Sequence, residues 1–397
     1  MMHKIILLSI ISIDVLILLF QTSSLSISSH EAALLYGDFS SIQFIENLSL
    51  SFFGQNDLSL RIPMIFFHLL SVILMYKISD NYLADQKNRI WLLLIFILLP
   101  GVLSSALLVD SAGLIILGLL LYVYVYENFS IPHTYPILLV FSLVDGVFIY
   151  LFISLVVYSI YIKNKAYLFA NMSFLITSIY FYGITTEGSP EGHLIDTVGL
   201  YSAIFTPIIF TYIFYVLYRR FLSKEMNVLW FISTIPLLIS LLLSFRQNIY
   251  IEDFAPYLIV ALPLAAQSFY AAYRVRLKMF RTRYKIIFGL SALFLSVNFI
   301  FVLFNRELYL VIEKPQKHFA RKMHIAKELA QELKSRDIYC VTTQDTMGNR
   351  LKFYGITSCT ENLLIEKNLD VKGEDYVTIS YKYRPIYKAI VTNLNTL

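Results

Sequence analysis

The chain has 397 residues, of which 57% are hydrophobic and only 15% charged, and its mean hydropathy is +0.66. Soluble globular domains carry about 25% charged residues, so this composition excludes a water-soluble body and points to a chain that lies mostly in lipid. No nucleic-acid partner is expected.

Apolar runs long enough to cross about 30 Å of hydrocarbon recur from residue 4 to residue 304. They predict spans near residues 4–20, 62–79, 90–104, 110–126, 135–145, 146–162, 167–182, 200–218, 228–245, 254–273 and 286–304. The first, "KIILLSIISIDVLILLF", imitates a secretory signal with a cleavable "TSSLS" after it, and is read as a retained helix. The run Tyr135–Ile162 is long for one span and short for two. Charge decides between them. If the run turns as a hairpin at Asp145 and Gly146, one face collects Lys4, Lys77, Lys87, Arg89, Lys163, Lys165, Arg219, Arg220, Lys224 and the six basic residues of "RVRLKMFRTRYK". The other face then receives only Arg61 and Arg246 among the short loops, as the positive-inside rule requires. The reading is eleven spans, amino terminus in the cytoplasm and carboxyl terminus outside.

On the outer side lie the loop 21–61, the acidic loop "TTEGSPEGHLIDT", the short loop "RQNIYIED" and a tail from residue 305. The tail holds 15 of the 32 Lys and Arg residues and 11 of the 27 acids. It alternates an amphipathic helical pattern, "HFARKMHIAKELAQELKSR", with strand-like "DIYCVTT" and "DYVTISYKY". The expected fold is mainly α: a polytopic helical membrane domain over 1–304 and a small extramembrane α/β domain over 305–397. Both cysteines, Cys340 and Cys359, fall in the tail, as a disulfide or as two buried thiols.

Phosphate loops, HExxH, GxSxG and CxxC motifs are absent, which removes the usual support for ATPase, zinc-protease, hydrolase and thiol-redox chemistry. What remains is polar residues at one membrane face: Glu31, Arg61, Asp110 and Arg246. Ionisable groups near the bilayer are functional candidates by default, yet each also has a structural reading. Asp110 precedes "SAGLIILG" as a helix cap would, and Arg61 has the reach to snorkel. Asp14 and His68, inside spans, are read as satisfied by neighbouring helices, and Asp145 as a turn residue. The basic cluster Arg274–Lys285 is read as a topology and lipid-headgroup signal.

The order of these features resembles the GT-C glycosyltransferases, in particular the branch of aminoarabinose transferases and protein O-mannosyltransferases. "HEAALLYGD" stands where that family carries an acidic Asp-Glu-x-x-Tyr motif after helix one, and "FGQNDLSLRIP" matches its Ser-x-Arg-x-Pro approach to helix two. "LLPGVLSSALLVDSAG" is similar to its proline-ended third helix and the acid that opens the fourth, here Asp110. "RQNIYIEDFAPYLIVALPLAA" resembles its late basic-aromatic loop and two-proline helix, and the tail its outer domain. The chain departs at His30, where the family has aspartate, in lacking a Pro-Pro pair later in the first loop, and in "LVDG" where many relatives have Thr-Lys-Gly.

The resemblance implies an enzyme of a bacterial inner membrane that moves a sugar from a polyprenyl-phosphate donor to a lipid, glycan or protein acceptor on the periplasmic face. Glu31 is then the first candidate base, Asp110 the second, and His30 an assistant. Arg61 and Arg246 are the candidates for the donor phosphate. No cofactor is required, although a divalent cation between Glu31 and Asp110 is left open. The alternative is a non-catalytic relative that binds or transports lipid-linked glycans. A topology reporter fused at Leu397 should read as extracytoplasmic, and a cytoplasmic signal there would reject the eleven-span reading.

Overall fold

The computed structural model describes residues 2–183, 192–343, 346–367 and 376–393. In chain order the helices are α1 (Met2–Ser24), α2 (Ser29–Tyr36), α3 (Ser41–Phe53), α4 (Asp57–Tyr82), α5 (Gln86–Leu98), α6 (Pro100–Leu107), α7 (Ser111–Asn128), α8 (Tyr135–Val144), α9 (Ile149–Tyr161) and α10 (Lys165–Tyr182). They continue as α11 (Leu194–Phe205), α12 (Pro207–Ser223), α13 (Val228–Leu243), α14 (Ile251–Ile259), α15 (Leu262–Val275), α16 (Lys278–Leu303), α17 (Ala326–Ser335) and α18 (Met347–Phe353). Strands β1 (Thr342–Thr343), β2 (Asn362–Glu366), β3 (Tyr376–Tyr381) and β4 (Arg384–Asn393) complete the described elements. The expected acidic loop "TTEGSPEGHLIDT" lies largely outside the described residues.

Among the described residues, α1, α4, α7 and α16 are each long and apolar enough to cross a membrane, and three bent helix pairs raise the number to seven. Shorter apolar segments at Ile131–Val144, Gly146–Tyr161 and Val228–Leu243, together with α10, fill the remaining expected positions. The chain is a multi-pass membrane protein. Three expected spans differ from straight rods. The pair α5–α6 bends by 60° and α14–α15 by 41°, each beside a proline at or near the start of the following helix. The sharpest break, 105°, separates α11 from α12 inside the expected span 200–218. Thr206 there has φ 63, and Pro207 follows at the first position of α12, where its missing N–H is harmless. A left-handed residue and a proline in succession end one helix and start another.

Contact clustering divides the chain into two compact units. The first, Met1–Val15, Met64–Ala106 and Asp110–Phe299, holds the large apolar core. One end of this bundle is basic. Tyr82 at the end of α4 donates to Glu127 at the end of α7 and accepts from Asn227 Nδ2 at 3.1 Å, just before α13. Trp91 meets Phe288 edge to face at 5.3 Å, and Tyr158 packs on Phe231 at 5.3 Å. These contacts gather the helix ends that bear Lys77, Lys87, Arg89, Lys163, Lys165, Arg219, Arg220 and the Arg274–Lys285 cluster. The hairpin turn belongs to the opposite end. Asp145 caps the turn by accepting from the Val147 N–H at 2.9 Å, and Tyr257 donates to Val147 O at 2.7 Å. A Cβ on Gly146 would lie 3.0 Å from the Tyr182 side chain, a tight contact that a glycine avoids. Asp14 and His68, both buried, pair through Asp14 Oδ2 and His68 Nε2 at 2.8 Å.

The second unit comprises Leu16–Pro63, Leu107–Val109 and Ile300–Leu397. Its sheet runs β1-β2-β4-β3, with β1 parallel to β2 and the other pairs antiparallel. The amphipathic helix of the tail is shorter than expected: α17 starts at Ala326, and its buried face is Ala326, Leu329, Ala330 and Leu333, the i, i+3, i+4, i+7 stripe of a helix lying on a core. Cys340 and Cys359 are disulfide-bonded across a separation of 19 residues. Closing a loop of that size is worth about 3 kcal/mol. Cys340→Ser should therefore lower the thermal midpoint of the second unit, and non-reducing peptide mapping should recover one cross-linked peptide; free thiols at both positions would show that the bridge does not form.

Candidate functional site

The motif "SHEAALLYGD" builds the centre of the second unit. Ser28 is the N-cap of α2, and Glu31 three residues later completes a capping box. The Glu31 N–H donates to Ser28 Oγ at 3.2 Å, and Glu31 Oε2 accepts from the Ser28 N–H at 2.7 Å. The same oxygen receives Arg61 Nη2 at 3.0 Å, and Oε1 accepts the Val109 N–H at 3.1 Å. Arg61 is fully buried and Glu31 is 1% exposed.

Arg61 does more than pair with Glu31. Its Nη1 donates to Leu25 O at 3.2 Å and its Nη2 to Ser26 O at 3.1 Å. These carbonyls belong to the non-helical stretch 25–28 between α1 and α2, where buried backbone groups need partners. The tail supplies the others. The Ser26 N–H donates to Met323 O at 2.8 Å, the Ile27 N–H to Tyr354 Oη at 2.9 Å, and Arg350 Nε to Ile27 O at 2.9 Å. Asp57, at the start of α4, pairs with Lys327 Nζ at 2.8 Å and accepts from Tyr354. The first loop and the tail therefore share one polar core.

Sequence reasoning missed Glu46. This residue of α3 is 1% exposed, and neither carboxyl oxygen has a hydrogen-bond partner among the described residues. Ser49, one turn on, bonds Ser59 O at 2.5 Å and fixes this face of α3 against the start of α4. Burial pushes the Glu46 carboxyl up to about 9; the neighbouring Glu31 charge adds to the rise and Arg61 opposes it. The only signal in the sequence was an acid three residues before a serine on an otherwise apolar helix face.

The remaining expected site residues stand elsewhere. His30 is exposed on α2. Asp110 is half-buried and caps α7, accepting the Ala112 N–H at 2.9 Å. Arg246 is exposed after α13. Asp110 and Arg246 belong to the first unit, whereas Glu31, Arg61 and His30 belong to the second. Thus Glu31 and Arg61 come together directly. Glu31 also holds the backbone N–H of the residue that precedes Asp110 in the chain. Among the described residues no three His, Cys, Asp or Glu side chains form a group able to hold a metal ion, and the N–H donors around Glu31 do not fit a cation ligand.

The crystal structure of ArnT from Cupriavidus metallidurans in the apo state superposes with a TM-score of 0.58, over 99% of this chain and 98% of that chain, at 10% sequence identity. The chain has the ArnT fold. This likeness bears out the expected polytopic, mainly α membrane fold, and its span of both chains leaves no large segment of either unmatched. No family model matches the sequence, and no curated protein does. At this identity the likeness concerns the fold, and the chemistry must be argued from the side chains.

The Glu46 carboxyl gives a signed prediction. Because its folded value is raised from 4.5 to about 9, the native state keeps a proton that the unfolded chain releases. The contribution is full below about 4.5 and is lost as pH rises through about 9. Glu46→Gln removes this titration, so its Tm should fall less than the wild-type Tm between about pH 6 and pH 9; parallel Tm profiles would show that Glu46 is not a buried neutral acid.

Proposed function

We propose that the protein is a membrane glycosyltransferase of the GT-C type, taking a sugar from a polyprenyl-phosphate carrier and passing it to an acceptor on the periplasmic face of a bacterial inner membrane. The observation that carries this reading is the coincidence of the ArnT fold over 99% of the chain with an acidic-arginine pair built from the two motifs that resemble that family. Fold likeness alone would leave the activity open.

The geometry suggests a division of roles. Glu31 has both oxygens engaged by N–H donors and is closed to solvent, which suits a positioning residue better than a base that must accept an acceptor's proton. Arg61, equally buried, suits the same task. Asp110, half-exposed at the start of α7, is the stronger candidate base. Proton removal from the attacking hydroxyl by such a group contributes about 10² to 10⁴ in rate. Arg246, exposed, is the candidate to stabilise charge developing on the phosphate leaving group. His30 stands next to Glu31 in the chain and is exposed, within reach of an incoming acceptor.

One observation favours the alternative, a non-catalytic binder or transporter of lipid-linked glycans: His30 replaces the family's aspartate while the adjacent Glu31 is sealed. The two readings differ in whether the carrier-linked sugar is consumed. Purified protein supplied with polyprenyl-phosphate sugars should release polyprenyl phosphate and glycosylated acceptor. Asp110→Asn and Arg246→Ala should each lower kcat/KM at least tenfold with Tm unchanged. Arg61→Ala should instead unfold or strongly destabilise the outer unit, because breaking a buried ion pair costs about 3 to 5 kcal/mol. Movement of intact donor without cleavage would establish the transporter reading.

A further inference from the structure

The basic cluster Arg274–Lys285 and the end of α12 have no place in the proposed chemistry, yet together they build a cavity. A pocket of about 790 Å³ opens at the basic end of the membrane unit, between α12, α15 and α16. Arg219 and Arg220 approach it from α12, Arg276 from the end of α15, and Tyr284 from α16. Ser268, Ala271 and Ala272, small residues on one face of α15, leave the space open.

The three guanidinium groups are arranged for an anion. Arg220 is oriented by its Nη2 donating to Gln267 Oε1 at 2.6 Å, and its Nε has no partner among the described residues. Arg276 lies over the Tyr284 ring at 4.7 Å. Arg281 folds back to hold the turn, donating to Arg276 O at 2.8 Å and Arg274 O at 3.0 Å. The lining contains one carboxylate, Glu225, against three arginines.

An apolar cleft of about 100 Å³ borders this pocket at Tyr212. Tyr212 lines both cavities, and each contributing helix proceeds from polar to apolar along the same direction. On α12 the lining passes from Arg219 and Arg220 to Ile208 and Ile209, on α15 from Arg276 to Leu262, and on α16 from Tyr284 to Leu295. Cationic at the helix ends and apolar toward their middles, the combined cavity has the polarity of an amphiphile.

We propose that this pocket is a binding site for an anionic glycerophospholipid, whose phosphodiester sits among Arg219, Arg220 and Arg276 and whose acyl chain enters the cleft beyond Tyr212. Basic pockets between transmembrane helices recognise acidic lipid headgroups through this combination of charge and apolar depth. The site is separate from the proposed chemistry. Arg246 follows α13 at the far end of the bundle, and a 16-residue helix spans about 24 Å. The occupant is therefore a lipid of the other leaflet rather than the sugar donor.

Full-length protein in neutral detergent should retain phosphatidylglycerol in native mass spectrometry and gain Tm from it, with at least tenfold weaker retention of phosphatidylcholine. Arg219→Gln with Arg276→Gln, both at exposed side chains, should abolish that preference without altering glycosyl transfer in lipid-free detergent. Should the double variant fail to fold, the wild-type comparison of the two lipids decides alone. Equal retention of both lipids would overturn the proposal. So would an equal Tm gain from inorganic phosphate, which lacks a chain, or tenfold tighter binding of polyprenyl phosphate, which would make the pocket a donor site.

Discussion

The buried Arg61 guanidinium is the constraint from which the second unit follows. A fully buried charge is tolerable only when paired and hydrogen-bonded, and Arg61 meets that condition by drawing three pieces of chain around itself: the carboxylate of Glu31 and the carbonyls of Leu25 and Ser26, with its own helix fixed at Asp57. The exit of α1, the start of α2 and the start of α4 are thereby tied to one guanidinium. Glu31 extends the same network to Val109. Glu46 completes the electrostatics of the cluster. One cation beside two carboxyls balances one negative charge, and the second acid holds its proton.

Little sequence identity accompanies the likeness of fold to ArnT. At 10% identity what the two chains share is the overall course of the fold, and a course of apolar helices is set by hydrophobic length, proline and glycine more than by particular side chains. Side chains that touch substrate are under different constraints. A shared architecture therefore locates where chemistry would be built without specifying which groups perform it.

Much of the architecture was legible in the residues. Hydropathy found the helices, and the asymmetry of Lys and Arg found the turn at Asp145 and Gly146, because both signals depend on local composition alone. The pairing of Glu31 with Arg61 was legible only as two entries in the same polar face, since their contact joins residues 30 apart. The sealing of both side chains had no signal. Whether an acid faces solvent or N–H donors depends on the tail, some 300 residues later, folding over residues 25–28. Glu46 was hidden for the same reason: a carboxylate on a short helix reads as solvated until the helix is packed. The chemistry of the cysteines depended on how their strands align, which two spaced thiols in a sequence do not encode.

The break at Thr206 has a consequence for how such chains are measured. Two helices at 105° cannot both run along the bilayer normal, so α11 and α12 do not add their lengths in depth. α12, with 17 residues, supplies about 26 Å of rise, close to a full hydrocarbon thickness by itself. The twelve residues of α11, with Ile195 86%, Val198 39% and Leu200 41% exposed, turn away from the α12 axis and add little to that rise. Apolar length and membrane depth are thus separate quantities in this protein, and a left-handed threonine before a proline is what uncouples them.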